Sequence, residues 1–145
     1  MTREGCPACE MIQKGDASNI ILENEKALAV AIDAYREGQC LVYVKRHIQT
    51  ISDMEPEEYN AAFELVTKVS KALEEKYGAR KTYLLAIGDG NKYQHVHFHL
   101  IPKHRDLPSM GVYCFQKMWE AEPPREPTET QTKALADELR NLIQG

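Results

Sequence analysis

The chain has 145 residues, 43% hydrophobic and 28% charged, a mixture suited to one globular domain with a core large enough to fold unaided. A net charge of −4 excludes a broad basic footprint for a nucleic-acid polymer, leaving only the local run Lys103-His104-Arg105. No apolar run approaches the roughly 18 residues that span a bilayer, and Met1 to Pro7 lacks the apolar stretch of a signal peptide, so the expected setting is the cytoplasm, with no membrane partner. In a reducing compartment the four cysteines, Cys6, Cys9, Cys40 and Cys114, are not expected to form a disulfide framework, and the close pair points to metal or redox chemistry.

In chain order, the N-terminus reads as a short polar loop holding Cys6-Pro7-Ala8-Cys9. Asn19 to Glu23 and Lys26 to Asp33 read as strands joined by a tight turn at Asn24-Glu25. Gln39 to Lys45, apolar and rich in β-formers, is a third. Ser52 or Asp53 is the expected cap of the next turn, and Pro56 suits the first turn of a helix. Tyr59, Ala62, Phe63, Val66, Val69, Ala72 and Leu73 then fall at helical spacing as far as Gly78, a stop signal. Lys81 to Ile87 reads as a fourth strand, Gly88-Asp89-Gly90-Asn91 as a turn, and His95 to Ile101 as a fifth strand stopped by Pro102. Lys103 to Pro127, rich in proline, has no readable shape. Thr128 to Ile143 is expected as an amphipathic helix with Leu135, Leu139 and Leu142 on one stripe. Hairpin-linked strands with one long helix inserted predict an α+β fold on an antiparallel sheet, one domain over 1–145 with 103–145 as a C-terminal extension.

The sharpest feature is His95-Val96-His97-Phe98-His99-Leu100-Ile101. Strand side chains alternate between faces, so three imidazoles share one face and Val96, Phe98 and Leu100 the other. The apolar set can pack on a helix, whereas three stacked imidazoles as core filler would each need buried hydrogen-bond partners. Two chemistries suit the polar face: metal ligation, and nucleophilic attack on phosphorus by a neutral imidazole whose pKa lies close to neutral pH. Periodicity does not choose between them. A three-histidine metal site from one strand is awkward, because residues two apart lie roughly 7 Å from one another.

These residues carry a resemblance. His95 to Ile101 has the His-φ-His-φ-His-φ-φ pattern of the histidine-triad (HIT) family, and Cys6-Pro7-Ala8-Cys9, Leu41 to His47, and Ile51-Ser52-Asp53-Met54 before the Pro56 helix are similar to further parts of it. The resemblance runs from about Cys6 to Pro102 and is loose beyond. It implies a five-stranded antiparallel sheet with a long helix, paired as a homodimer, and a nucleotide hydrolase or nucleotidyl transferase acting on phosphoramidates or dinucleoside polyphosphates. His97 matches the nucleophile that becomes nucleotidylated, with a strand carbonyl on its far nitrogen setting the tautomer, and His99 matches the histidine that hydrogen-bonds the phosphate. Resemblance to the zinc-bearing branch, which includes galactose-1-phosphate uridylyltransferase, implies a structural zinc held by Cys6, Cys9, His47 and His95. The competing reading of the pair as a thioredoxin-like redox motif lacks a preceding strand, and free thiols on a terminus are the plain alternative. Cys40 and Cys114 read as small buried hydrophobes.

The chain departs from the family pattern in places. Gly90-Asn91-Lys92 stands where a Gly-Gln-Ser-type run grips phosphate and leaving group; Asn91 can replace the glutamine as donor, and Lys92 favours a more anionic substrate unless it is a solvated loop lysine. Asp33 matches the acidic residue on the ribose hydroxyls, or is a turn former, in a loop shorter than usual. Gln39 stands where many relatives have histidine. Lys103 and Arg105 are candidate phosphate contacts or surface charges, and Trp119 is expected to pack rather than stack on a base. Two other functions stay open: a metalloenzyme ligated by His95, His97 and His99, and a nucleotide-binding sensor with little turnover.

Overall fold

Five short strands build one sheet. The computed structural model describes residues 3–89, 92–105, 107, 109 and 111–145. Its strands are β1 (Ile20–Glu23), β2 (Ala27–Ala31), β3 (Cys40–Val44), β4 (Lys81–Leu85) and β5 (His97–Lys103). They pair antiparallel throughout in the order β1-β2-β3-β5-β4, the α+β architecture expected from the sequence. Asn24 makes the first hairpin, its Oδ1 accepting from the Lys26 and Ala27 backbone at 3.1 and 2.9 Å, the local mimicry that suits asparagine to turns. Because β4 follows a helical crossover and lies outside β5, the histidine strand is central, with β3 on one side and β4 on the other.

Two helices cover one face. They are α2 (Pro56–Tyr77) and α4 (Glu129–Gln144). Leu65, Val69 and Leu73 of α2 and Leu135 and Leu139 of α4 close over Val42, Val96, Phe98 and Leu100 in one buried cluster, each large side chain contributing roughly 1.5–3 kcal/mol by leaving water. The N-cap of α2 is Glu55 rather than Ser52 or Asp53, which lie in a single 3-10 turn, Ile51–Asp53. Glu58 secures that end: it accepts from the Glu55 backbone at 2.9 Å and from both Arg46 Nε and Nη2, at 2.8 and 2.7 Å. Gly78 ends α2 in the left-handed region.

On the opposite face the covering is split. The N-terminal loop expected from the sequence is instead helix α1 (Pro7–Lys14), capped by Cys6, whose Sγ accepts from the Cys9 backbone, and stopped by left-handed Gly15. Met11 and Ile12 of α1 pack on Leu28, Val30 and Leu41. The stretch without a readable shape contains α3 (Cys114–Ala121), whose Met118 and Phe115 pack with Ile101. Between these patches runs a strip of sheet carrying His97 and His99. The fifth strand also differs at both ends from its expected span. His95 lies just before it, and Pro102 lies inside it, opposite Thr82 of β4. Proline is tolerated there because β3 begins at Cys40, opposite Leu100, so residue 102 has a strand on one side only.

Candidate active site and metal centre

His97 and His99 stand two apart on β5, on the face away from α2, their ring centroids 4.9 Å apart. Tyr43 of β3 pairs with His97 in register, its ring 5.3 Å from His97 and 5.9 Å from His95. Backbone and side-chain acceptors fix the tautomers. His97 Nδ1 lies 2.8 Å from the His95 carbonyl; a carbonyl only accepts, so Nδ1 carries the proton and Nε2 keeps its lone pair. The Gln39 amide donates to His99 Nδ1 at 3.0 Å, which places the His99 proton on Nε2. Burial, aided by the neighbouring His97, lowers His99 to about 4, so His99 is a neutral donor at pH 7. The strip therefore offers one nucleophilic nitrogen beside one N–H donor.

His95 faces elsewhere. Its Nε2 donates to the Val44 carbonyl at 2.6 Å, leaving Nδ1 unprotonated at 3.6 Å from Cys6 Sγ and 3.4 Å from Cys9 Sγ. His47 Nδ1 lies 3.3 Å from Cys9 Sγ. The ligand atoms of Cys6, Cys9, His47 and His95 all lie within 4.8 Å of one another. A tetrahedral ion with metal–sulfur distances of about 2.3 Å and metal–nitrogen distances of about 2.0–2.1 Å sets sulfur and nitrogen roughly 3.6 Å apart, so the donor set fits a metal. Burial lowers both His95 and His47 from the usual histidine value, favouring the neutral ligand form. The α1 turn makes this possible by presenting both thiols at its start. The same His95 that can hold the metal supplies, through its carbonyl, the partner of His97.

The other residues singled out in the sequence are distributed differently. Asp33 is buried at a positive φ of 49°, and its carboxylate accepts from the Gly38 backbone at 2.7 Å and from Arg125 at 2.8 Å. Lys92 is exposed, its ammonium 5.1 Å from the Tyr93 ring centroid. Asn91 lies outside the described residues. Lys103 is at the far end of β5 opposite Lys81, and Arg105 donates to the Gly78 carbonyl at the end of α2. Cys40 is fully buried and Cys114 packs with the α3 cluster. Trp119, expected to pack, is 44% exposed, with the Arg36 guanidinium 4.7 Å and the Tyr35 ring 5.9 Å from its centroid.

Sequence reasoning missed Tyr43 and underused Gln39. Tyr43 shares a face of β3 with Leu41, Gln39 lies just before that strand, and only the pairing of Tyr43 with His97 and Leu41 with His99 brings them to the histidines. Gly38, just before them, has a φ of +84°, and a Cβ there would stand 2.5 Å from the Tyr77 ring, so glycine alone fits.

Comparison with known proteins agrees with the geometry. The profile of the HIT domain matches residues 13–106. The adenosine 5'-monophosphoramidase of Schizosaccharomyces pombe is 30% identical over 144 residues, 95% of this chain and 98% of that protein. Among solved structures, a hypothetical histidine triad nucleotide-binding protein from Sulfolobus tokodaii superposes with a TM-score of 0.74 at 22% identity, covering 96% of this chain and 92% of that one. A zinc-bound histidine triad family protein from Mycobacterium smegmatis does so at 0.69 and 20%, covering 97% and 96%. With the alternating histidines, the sheet order and the profile match in agreement, this chain is a member of the histidine-triad (HIT) domain family.

Proposed function

We propose that the protein is a nucleotide hydrolase or nucleotidyl transferase in which His97 is the nucleophile. The observation that carries this reading is the hydrogen bond from His97 Nδ1 to the His95 carbonyl: it leaves Nε2 as a lone pair on the open strip beside the neutral donor His99. His97 Nε2 forms a bond to the α-phosphorus, and the bond from phosphorus to the leaving nitrogen or oxygen breaks with its electron pair, the departing atom taking a proton from water. Water, or another acceptor in a transfer, then displaces the imidazole and frees the nucleotide. His99 donates a hydrogen bond from its Nε2–H to a phosphate oxygen, where charge grows in the transition state. Splitting the displacement in two lowers each barrier. The name of the fission-yeast relative supports a nucleoside phosphoramidate as the first substrate to try, and Asn91 and Lys92 remain the proposed contacts of the leaving side. For Asp33, the bonds to Arg125 and Gly38 favour holding the loop over touching ribose.

The zinc identity belongs to the same reading: two thiolates and two imidazoles in a closed set suit a structural zinc ion, which would supply rigidity to the entrance of β5. So do pairing with a second copy, supported by the edge position of β4 and its 42%-exposed Leu84 and testable by light scattering, and a cytoplasmic location. No helix among the described residues is long and apolar enough to cross a membrane.

The test is AMP release from adenosine phosphoramidate by the native protein and by His97→Ala. The account expects turnover that disappears in the variant while AMP still binds. A His97→Ala variant that retains turnover refutes the nucleophile, and a native protein that binds nucleotide without releasing AMP favours the sensor reading. The rival in which His95, His97 and His99 share a catalytic metal is disfavoured by the turn of His95 Nδ1 toward the two thiols.

A further inference from the structure

Lysine is almost never fully buried unless it is paired, and Lys103 breaks that pattern. It is the last residue of β5 and 6% exposed. Among the described residues no carboxylate lies within salt-bridge distance of it and no acceptor takes its ammonium. Its charged neighbours have the wrong sign. Lys81 of β4 stands directly opposite it in register, and residues so paired project from the same face of the sheet, where like charges destabilise. Arg80 precedes Lys81. Its Nη2 donates to the Leu107 carbonyl at 2.9 Å, and no carboxylate among the described residues meets the rest of the guanidinium. Burial, then Arg80 and Lys81, lower Lys103 from the usual lysine value. Carboxylates are not scarce: acidic residues outnumber basic ones 22 to 18, and Arg36, Lys45, Arg46, Lys76 and Arg125 each reach one. The corner is also separate from the histidine strip. By strand alternation Lys103 shares a face with His97, His99 and Ile101, but it lies about 13 Å beyond His99 at a rise of roughly 3.3 Å per residue. Ile101, packed with Tyr83 and Met118, stands between them.

We infer that Lys103, Lys81 and Arg80 form a second anion site, built for a phosphate group, with Lys103 as its buried anchor. Three positive charges at one corner call for a compact anion carrying more than one charge. Phosphate supplies that charge, with oxygen acceptors for both the guanidinium fork and the ammonium. A monovalent carboxylate would leave most of the positive charge unbalanced. The occupant offsets the repulsion between Lys103 and Lys81 and gives the buried ammonium the acceptor that the described residues do not. The site stands independently of the reaction proposed at His97.

The test is an amide NMR titration of the native chain with inorganic phosphate, against sodium chloride at equal ionic strength. A second titration uses AMP, which presents the same phosphate chemistry on a nucleoside. The expected result is saturable movement of the Lys81, Thr82, Lys103 and His104 amides by phosphate, with a millimolar or tighter Kd that chloride does not reproduce. Movement of these amides by phosphate and not by AMP assigns the site to the free ion; movement by both admits a nucleoside monophosphate. Lys103→Met keeps the apolar stem and removes the charge. It is expected to weaken phosphate binding by about 10- to 150-fold, the loss of one hydrogen bond to a charged group. Arg80→Gln, at an exposed position, is expected to act in the same direction and decides the matter if Lys103→Met does not fold. Phosphate shifts that match those of chloride, or that are confined to the strip around His97 and His99, overturn the inference. So does undiminished phosphate binding in either folded variant.

Discussion

Gln39→Glu reverses the electrostatics of the candidate phosphate donor. The native amide donates to His99 Nδ1 at 3.0 Å, and burial, with His97 beside it, keeps His99 at about 4. At pH 7 roughly one ring in a thousand is then charged. A carboxylate at hydrogen-bond distance favours the imidazolium and raises the midpoint to about 5–7. Above that midpoint the carboxylate draws the ring proton to Nδ1, and Nε2 changes from donor to acceptor. Losing one preorganised donor to a developing oxyanion costs about 10²- to 10³-fold in kcat, so the variant is slow at pH 8 and recovers as pH falls through the new midpoint, where both ring nitrogens are protonated. Stability moves with the same proton. The native His99 lies below its unfolded value of 6.5, so its contribution is complete above 6.5 and is lost as pH falls toward 4. That loss approaches 3 kcal/mol in a dry site and about half of it for a ring that solvent partly reaches. Gln39→Glu removes most of this acid sensitivity. The assay is a proton NMR titration of the His99 ring alongside kcat and urea midpoints at pH 5 and 8. An unmoved His99 midpoint, or a kcat within threefold of native at pH 8, refutes the assigned tautomer and role.

Three further outcomes follow from packing and from the donor set. Cys9→Ser is expected to bring bound zinc, counted by elemental mass spectrometry, from one per chain to near none and to lower the melting temperature; it also slows turnover by about 10- to 100-fold, the usual effect of disturbing the support of a working group, because His95 carries the carbonyl that holds His97. Native protein purified without zinc and unaffected by the substitution contradicts this. Glu58→Gln removes the charge from the Glu58–Arg46 pair, in which the Glu58 side chain is 4% exposed, and should cost about 1–3 kcal/mol in a denaturant melt. Arg46 holds the Glu58 carboxyl below its usual 4.5, so this pair stabilises above about 4.5 and fails as pH drops beneath it; an unchanged acid midpoint in the variant would count against that. Phe98→Ala empties the space against Phe63, whose ring centroid lies 5.5 Å away, and should cost about 3–5 kcal/mol, with a loss below 1 kcal/mol showing that the core collapses into the gap.

The parts of the fold that were legible are those in which one residue pattern determines one structure. The alternation from His97 to Leu100 set both faces of β5, whereas His95, expected on the same face, lies before the strand and turns to the thiols; the spacing from Tyr59 to Leu73, with Gly78 after it, delimited α2. Helix α1 escaped notice because its polar composition looks like loop, although Pro7 at its first position and Gly15 at its end are ordinary helix signals. Pro102 reads locally as a stop, and only the short reach of β3 explains why the strand continues through it. The metal set was visible by resemblance, since Cys6 and Cys9 are 86 or more residues from His95 and nothing local joins them. The contacts of Tyr35 and Arg36 with Trp119 join the loop after β2 to α3, which no local pattern encodes.

The central claim is that His97 is nucleotidylated. The most direct measurement is acid-free rapid quench of native protein with adenosine phosphoramidate, followed by intact mass and peptide mapping. The account predicts an adenylyl adduct on the peptide containing His97, absent in His97→Ala and cleared as AMP accumulates. AMP formed in the first turnover with no protein-bound adenylate, or an adduct mapped to another residue, contradicts it.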